Sequence, residues 1–326
     1  MIPLSILDLA PVSQGSTPAD ALHNARDLAQ HAERFGYNRY WVAEHHNMAG
    51  IASAATSVVI GFVAENTKSI RVGAGGIMLP NHSPMVIAEQ FGTLVTLYPN
   101  RIDLGLGRAP GTDRQTMMAL RVDPRASEHF PQDVLELQVL LGPLQDGQTI
   151  QAVPGTDTNV PLWILGSSTF GGQLAAALGL PHAFASHFAP DQLMDSLSIY
   201  RETFKPSAQL AQPYAMAGVN VICAETDAEA KYLFTSLQMR FADMHRGQRG
   251  LTKPPIDDIE TYWTASEKMQ AQRMLAATFV GSPATVKEQL KDFVTTTGVD
   301  ELMVAAMMYD HKSRVRSYEL LAEVWR

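Results

Sequence analysis

Short apolar runs alternate along this chain with stretches in which apolar residues recur at every third or fourth position. Residues 2–10 form a largely apolar run, interrupted by Ser5 and Asp8, of the kind buried in a parallel sheet, and so predict a first strand. A sharply bounded helix follows. Thr17 can cap it, Pro18 suits the first helical position, Leu22, Ala25, Leu28, Ala29, Ala32 and Phe35 keep helical spacing, and Gly36 ends it. The same reading places further strands at 39–43, 70–79, 102–106, 162–165, 183–186, 214–224 and 302–307. Helices are expected between them at 53–65, 83–98, 127–141, 169–178 and 227–245, with others opened by Pro190-Asp191 and by Ser282-Pro283 and a last one at 313–325. Two segments exceed this rhythm: the Gly-, Gln- and Thr-rich stretch 147–158, and the polar stretch 246–264, which reads as an inserted loop.

Eight strands separated by helices predict a parallel sheet with right-handed crossovers, and eight is the number that favours closure. The expected fold class is therefore α/β, a (β/α)8 TIM barrel spanning residues 1–326 as one domain, with insertions after strand 4 and before strand 8. Such a barrel takes about 250 residues, so the surplus fits the two long segments. An open doubly wound sheet is the competing reading. Its dinucleotide fingerprint is missing, because Gly105-Leu106-Gly107 is followed by Gly111, one residue too late for G-x-G-x-x-G.

Composition removes several classes of partner. Hydrophobic residues make up 46% and charged residues 18% of the chain, which excludes disorder. A formal charge of −8 would oppose a polyphosphate, so no nucleic acid is expected. Cys223 is the only cysteine, which excludes an intramolecular disulfide and a cysteine zinc site; with no secretory signal after Met1, a cytoplasmic location is expected. Residues 158–190 carry no Asp, Glu, Lys or Arg, but Pro161, Pro181, Gly171 and Gly172 break them up, so they read as soluble core and no membrane contact is expected.

In a barrel, chemistry gathers where strands end and the following loops begin. Glu44-His45-His46 follows the second strand; adjacent histidines point apart, so one can enter the mouth while the other packs, and no metal pair is expected. Gly73, Gly75 and Gly76 lie near the end of the third strand, where glycines mark a bulge, an unusual dihedral or close approach to a flat ligand. Arg108, among glycines after the fourth strand, can grip a phosphate or carboxylate. Gly166-Ser167-Ser168-Thr169-Phe170-Gly171 runs from the fifth strand straight into a helix and offers its N–H groups to an anion. Ser186-His187-Phe188 and Tyr309-Asp310-His311 are expected on the same rim; a hydrolase triad is the weaker reading there, as no G-x-S-x-G elbow is present.

Trp41-Val42-Ala43-Glu44-His45-His46, residues 72–80 and residues 105–113, together with Gly166-Ser167-Ser168 and Tyr309-Asp310-His311, resemble the bacterial-luciferase-like flavin monooxygenases over nearly the whole chain. The resemblance implies a (β/α)8 barrel that uses reduced FMN, supplied by a separate NAD(P)H:flavin reductase, and O2 to oxygenate a small organic substrate through a flavin C4a-hydroperoxide. It implies that His45 is the catalytic histidine, that Gly75-Gly76 is a cis peptide beneath the flavin, and that Arg108, Ser167, Ser168 and Gly171 bind its phosphate. Luciferase has an acidic residue where this chain has Ser167, and the sequence looks closer to single-chain relatives than to light-emitting heterodimer subunits. A homodimer is expected, since such barrels commonly pair beside strands 2 and 3 and the second helix carries no charge before Glu65. A histidine titrating near neutrality would suit the proton traffic, and residues 246–264 would form the lid. The alternatives on the same barrel are a deazaflavin (coenzyme F420) hydride-transfer oxidoreductase and a non-catalytic flavin-binding protein.

Overall fold

The computed structural model describes residues 1–109 and 113–326. Pro110, Gly111 and Thr112, which belong to the glycine motif read above, lie outside the described residues. Nine strands are present among the described residues: β1 (Leu4–Asp8), β2 (Arg39–Val42), β3 (Arg71–Met78), β4 (Ile102–Gly107), β5 (Leu162–Gly166), β6 (His182–Phe184), β7 (Ala215–Cys223), β8 (Thr278–Gly281) and β9 (Glu301–Ala305). All pair in parallel, and β1 to β7 with β9 close into a barrel through β6–β7 and β9–β1. The expected barrel is therefore observed, with one strand more than expected. β8 stands outside the wall, paired with Asn220–Cys223 at the end of β7, which outruns its partner β9.

Around the wall lie α1 (Pro18–Phe35), α2 (Thr56–Glu65), α3 (Pro84–Leu97), α4 (Arg114–Ala119), α5 (Phe130–Leu141), α6 (Thr169–Leu178), α7 (Leu193–Thr203), α8 (Asp227–His245), α9 (Ala265–Met274), α10 (Pro283–Thr297) and α11 (His311–Trp325). Their caps follow from local chemistry. The Thr17 and Asp20 side chains cap α1 reciprocally, and Gly36 ends it at φ 84°, a left-handed conformation that glycine adopts without penalty. The helix expected from Pro190 begins at Leu193, and α4, α9 and β8 are additions to the elements expected from the pattern. Among the described residues no helix is long and apolar enough to cross a membrane.

Strand alternation divides the interior into two cores. Outward residues such as Ile6, Tyr40, Val72, Leu104 and Ile164 join the large cluster under the helices, while Leu7, Trp41, Trp163, Met216 and Met303 fill the barrel. The floor of the barrel is ionic. Arg39 reaches Asp103 at 2.6 Å and Glu301 at 3.2 Å, and Trp41 Nε1 donates to Asp103 at 3.1 Å. Above the Trp41–Trp163 edge contact, at 5.1 Å between ring centroids, the barrel lining turns small: Ala43, Gly75, Gly107, Ala183, Gly218 and Ala305. Small residues leave unfilled volume, so the fold is plugged below and hollow at the C-terminal mouth.

Candidate functional site

That hollow is a cavity of about 380 Å³, and His45, Gly75, Gly76, Arg108, Ser167, Ser168 and Gly171, all singled out from the sequence, line it. The Gly75-Gly76 peptide is cis. The β3–β4 register shifts between Ala74 and Ile77, so the glycine pair is a bulge in the wall. A side chain at Gly75 would meet Leu7 Cδ1 at 2.7 Å, and one at Gly76 the Gly105 carbonyl oxygen at 2.7 Å. Gly76 is therefore required by the barrel wall itself, whereas the Leu7 side chain against Gly75 could shift; both glycines face the cavity.

Arg108 is exposed and lays its guanidinium over the Phe170 ring, 3.9 Å from the centroid, which brings it onto the first turn of α6. Ser168 is the N-cap of α6, yet its side chain makes no capping hydrogen bond; among the described residues only the Thr169 N–H is served, by Gln192 Oε1 at 3.2 Å. The remaining N–H groups of that turn and the adjacent cation form one anion-seeking end of the cavity.

The histidines divide their work. Glu44 is buried, with its backbone N–H donating to the Gly76 carbonyl at 3.2 Å. Its carboxylate accepts from the Met78 N–H at 3.0 Å, from His46 Nε2 at 2.7 Å and from His82 Nε2 at 2.9 Å. These bonds outweigh the burial that opposes its charge and hold its pKa down to about 2. His46 is thereby tied down outside the cavity, as expected of one of the pair. Glu44, His46 and His82 also place three ligand-type atoms within 4.8 Å of one another, a juxtaposition absent from the sequence reading because His82 lies beyond β3.

His45 turns inward. Burial, assisted by the charge of Arg240, pushes its pKa down to about 4, and its Nδ1 is buried without a hydrogen-bond partner among the described residues. The expectation of a histidine titrating near neutrality is thus corrected: His45 is neutral at pH 7. His187 lines the same cavity, also has an unpartnered Nδ1, and is lowered to about 4 by burial and then by His45. Its ring occupies the space over Gly218, where a Cβ would lie 2.4 Å from Nδ1.

One expectation fails on geometry. Tyr309, Asp310 and His311 do not line the cavity: Tyr309 donates to the Gln14 carbonyl at 3.0 Å, Asp310 caps α11, and His311 meets Asp27 at 2.8 Å. Ser186 spends its hydroxyl on the Gly218 carbonyl at 2.6 Å, which leaves the hydrolase triad without a serine. The segment 246–264, expected as an inserted loop and lid, contributes Gln248, Arg249, Leu251 and Lys253 to the mouth. Leu237, Arg240, Phe241 and Met244 of α8 also line the cavity and are missing from the sequence reading. An arginine at helical spacing among apolar residues was the available signal.

The profile of the luciferase-like monooxygenases matches residues 2–301, and the chain belongs to this family. It is 51% identical over 324 residues to a luciferase-like monooxygenase of Escherichia coli (strain K12), covering 99% of this chain and 97% of that one. It is 30% identical over 331 residues to the N-acetyl-S-alkylcysteine monooxygenase of Bacillus subtilis (strain 168), covering 99% and 98%. The crystal structure of apo-MsnO8 superposes with a TM-score of 0.93 at 36% identity, covering 100% and 98%. More distant barrels share the fold alone. They include the oxygenating constituent of 3,6-diketocamphane monooxygenase from Pseudomonas putida in complex with FMN (TM-score 0.73, 17% identity, covering 99% and 97%). An F420-dependent secondary alcohol dehydrogenase in complex with an F420-acetone adduct is another (TM-score 0.70, 15% identity, covering 100% and 99%).

Proposed function

We propose that this chain is a monooxygenase that takes reduced FMN from a separate NAD(P)H:flavin reductase and, with O2, places one oxygen atom in a small organic substrate. The observation that carries this reading is one cavity holding an uncapped helix N-terminus beside Arg108 and, on the β2 side, a neutral His45 with an unused ring nitrogen. The residues present fit a flavin phosphate: α6 offers free N–H groups and Arg108 a charge-assisted donor, while the cavity wall is largely apolar. When bound, the reduced flavin supplies the electrons that activate oxygen. The chain's own part is to bind, orient and exclude water. His45 holds or passes a proton at a ring nitrogen, and the 246–264 segment covers the mouth. Relatives at 30% identity or above include three named as monooxygenases, and oxygenation suits reduced FMN with O2 better than F420 hydride transfer.

Oxygen uptake with pre-reduced FMN, compared with anaerobic hydride transfer to F420, tests the reading; a chain that binds FMN but never turns over is a binding protein. Arg108→Ala should weaken FMN about 10- to 100-fold and riboflavin little, the effect of one charge-assisted hydrogen bond to phosphate. Parallel fluorescence titrations check it, and equal losses for both ligands would remove the phosphate assignment.

We also propose that the chain pairs through α2 and α3. Val58 of α2 is 70% exposed, and Val86 and Leu97 are exposed at the two ends of the neighbouring α3. Light scattering should give twice the 35.6 kDa of one chain, and Val58→Asp should return the mass to a single chain.

A further inference from the structure

One arginine inside this fold is left over. Arg314 meets Asp8 at 2.6 Å and the Ala306 carbonyl at 2.8 Å. Arg39 sits between Asp103 and Glu301, and Arg101 gives its donors to the carbonyls of Ala64, Thr67 and Ile70. Arg240, half-buried on α8, forms no hydrogen bond or ion pair among the described residues. Asp243 is the acidic neighbour whose field favours its charge, but Asp243 is taken: Lys253 Nζ reaches it at 2.8 Å, the Tyr262 hydroxyl at 2.6 Å and Arg246 at 3.5 Å. A guanidinium keeps its proton, so Arg240 stays charged with no acidic side chain paired to it among the described residues.

Its surroundings say what is missing. Arg240 lines the cavity with Leu237, Phe241 and Met244 of the same helix, and its charge bears on His45. A Cβ on Gly50 would lie 3.2 Å from its Nη1, so it is seated against the β2–α2 connection. Arg108 and the α6 N-terminus follow β4 and β5, on the far side of β3 from that connection. Arg249 and Lys253 at the mouth are paired with Asp113 at 3.6 Å and Asp243 at 2.8 Å, so among the described residues the cavity has two separate cationic places without an acidic partner, of which one suffices for a flavin phosphate.

We propose that Arg240 receives a carboxylate of the organic substrate, so that the substrate class is an amphipathic carboxylic acid held with its apolar body along α8 and its anionic end beside His45. A planar guanidinium matches a carboxylate through paired hydrogen bonds, and the desolvated cavity strengthens them. The inference rests on the cavity being the reaction site.

The test uses the intact chain and two matched probe pairs, 4-phenylbutyrate with 4-phenylbutyramide and octanoate with octanamide, titrated by calorimetry. Wild type should favour the acid of each pair by about tenfold or more, and Arg240→Met should abolish that preference. Since the variant removes an unpaired charge, its melting temperature should equal or exceed that of wild type. FMN titration should remain near the wild-type value. An absent preference in wild type, including no binding of either acid, overturns the proposal, as does a preference that survives in Arg240→Met. A clearly lower melting temperature overturns it by revealing a partner within the protein. A loss of FMN affinity as large as that of Arg108→Ala overturns it by moving Arg240 into the phosphate site. If the acid preference behaves as expected while wild type binds no FMN, the carboxylate assignment stands and the flavin reading alone has failed.

Discussion

His45→Ala is expected to slow oxygenation by about 10²- to 10⁴-fold while changing FMN affinity far less, the signature of a group that acts on protons during the reaction. The size of the loss follows from the site: His45 is a neutral imidazole in the cavity with a ring nitrogen that none of the described residues uses. Burial and the neighbouring Arg240 hold its pKa at about 4, so the active, neutral form persists throughout the neutral range. Rates limited by this group should be level between about pH 6 and pH 8 and fall only as the pH approaches about 4. His45→Asn, which keeps a hydrogen-bonding amide but no ionisable ring, should lose less than alanine if positioning dominates, and as much if proton transfer does. Single-turnover assays with pre-reduced FMN measure the step without the reductase. Normal turnover in His45→Ala with a collapse in His187→Ala would move the role to His187, the other cavity histidine with an unpartnered Nδ1.

Glu44→Ala should destabilise the fold by about 3 to 5 kcal/mol, because it removes the acceptor from a buried, charge-assisted network. The Met78 N–H, His46 and His82 would all lose their shared partner. Glu44→Gln keeps one acceptor oxygen and should cost less. The sign with pH follows from the shift. The carboxyl has a usual value of 4.5 and is held at about 2 in the fold, so its stabilisation is fully present above pH 4.5 and is lost as the pH falls through about 2. Urea unfolding of wild type and both variants across that range checks the effect. A midpoint for Glu44→Ala within experimental error of wild type would show that the histidines and the β3 end find other partners.

Helix boundaries and the barrel wall are legible in the order of the residues. α1 and α8 begin and end where Thr17-Pro18, Gly36 and the 227–245 periodicity place them, because caps and apolar spacing belong to sequence neighbours. The lining residues His45, Gly75, Gly76, Arg108, Ser167, Ser168 and Gly171 are legible too, since each follows or ends a strand and parallel strands of a barrel all deliver their C-terminal ends to one mouth. β8 is not, for a short edge strand owes its existence to the exposed end of β7, from which it is separated by α8 and α9. Nor is the electrostatic state of the site. Arg240 lowers the His45 pKa from a helix distant along the chain, and His82 completes the Glu44 network from beyond β3. Likewise, the Tyr309-Asp310-His311 motif reads as part of the rim by its place after a strand, yet Gln14 and Asp27 claim it from the α1 side. What the sequence by itself determined were the elements, their order and the strand ends that form the mouth. Tertiary structure alone decided which charges are paired and which side chains remain unspent, because burial and Coulomb interactions depend on distance in space and not on separation along the chain.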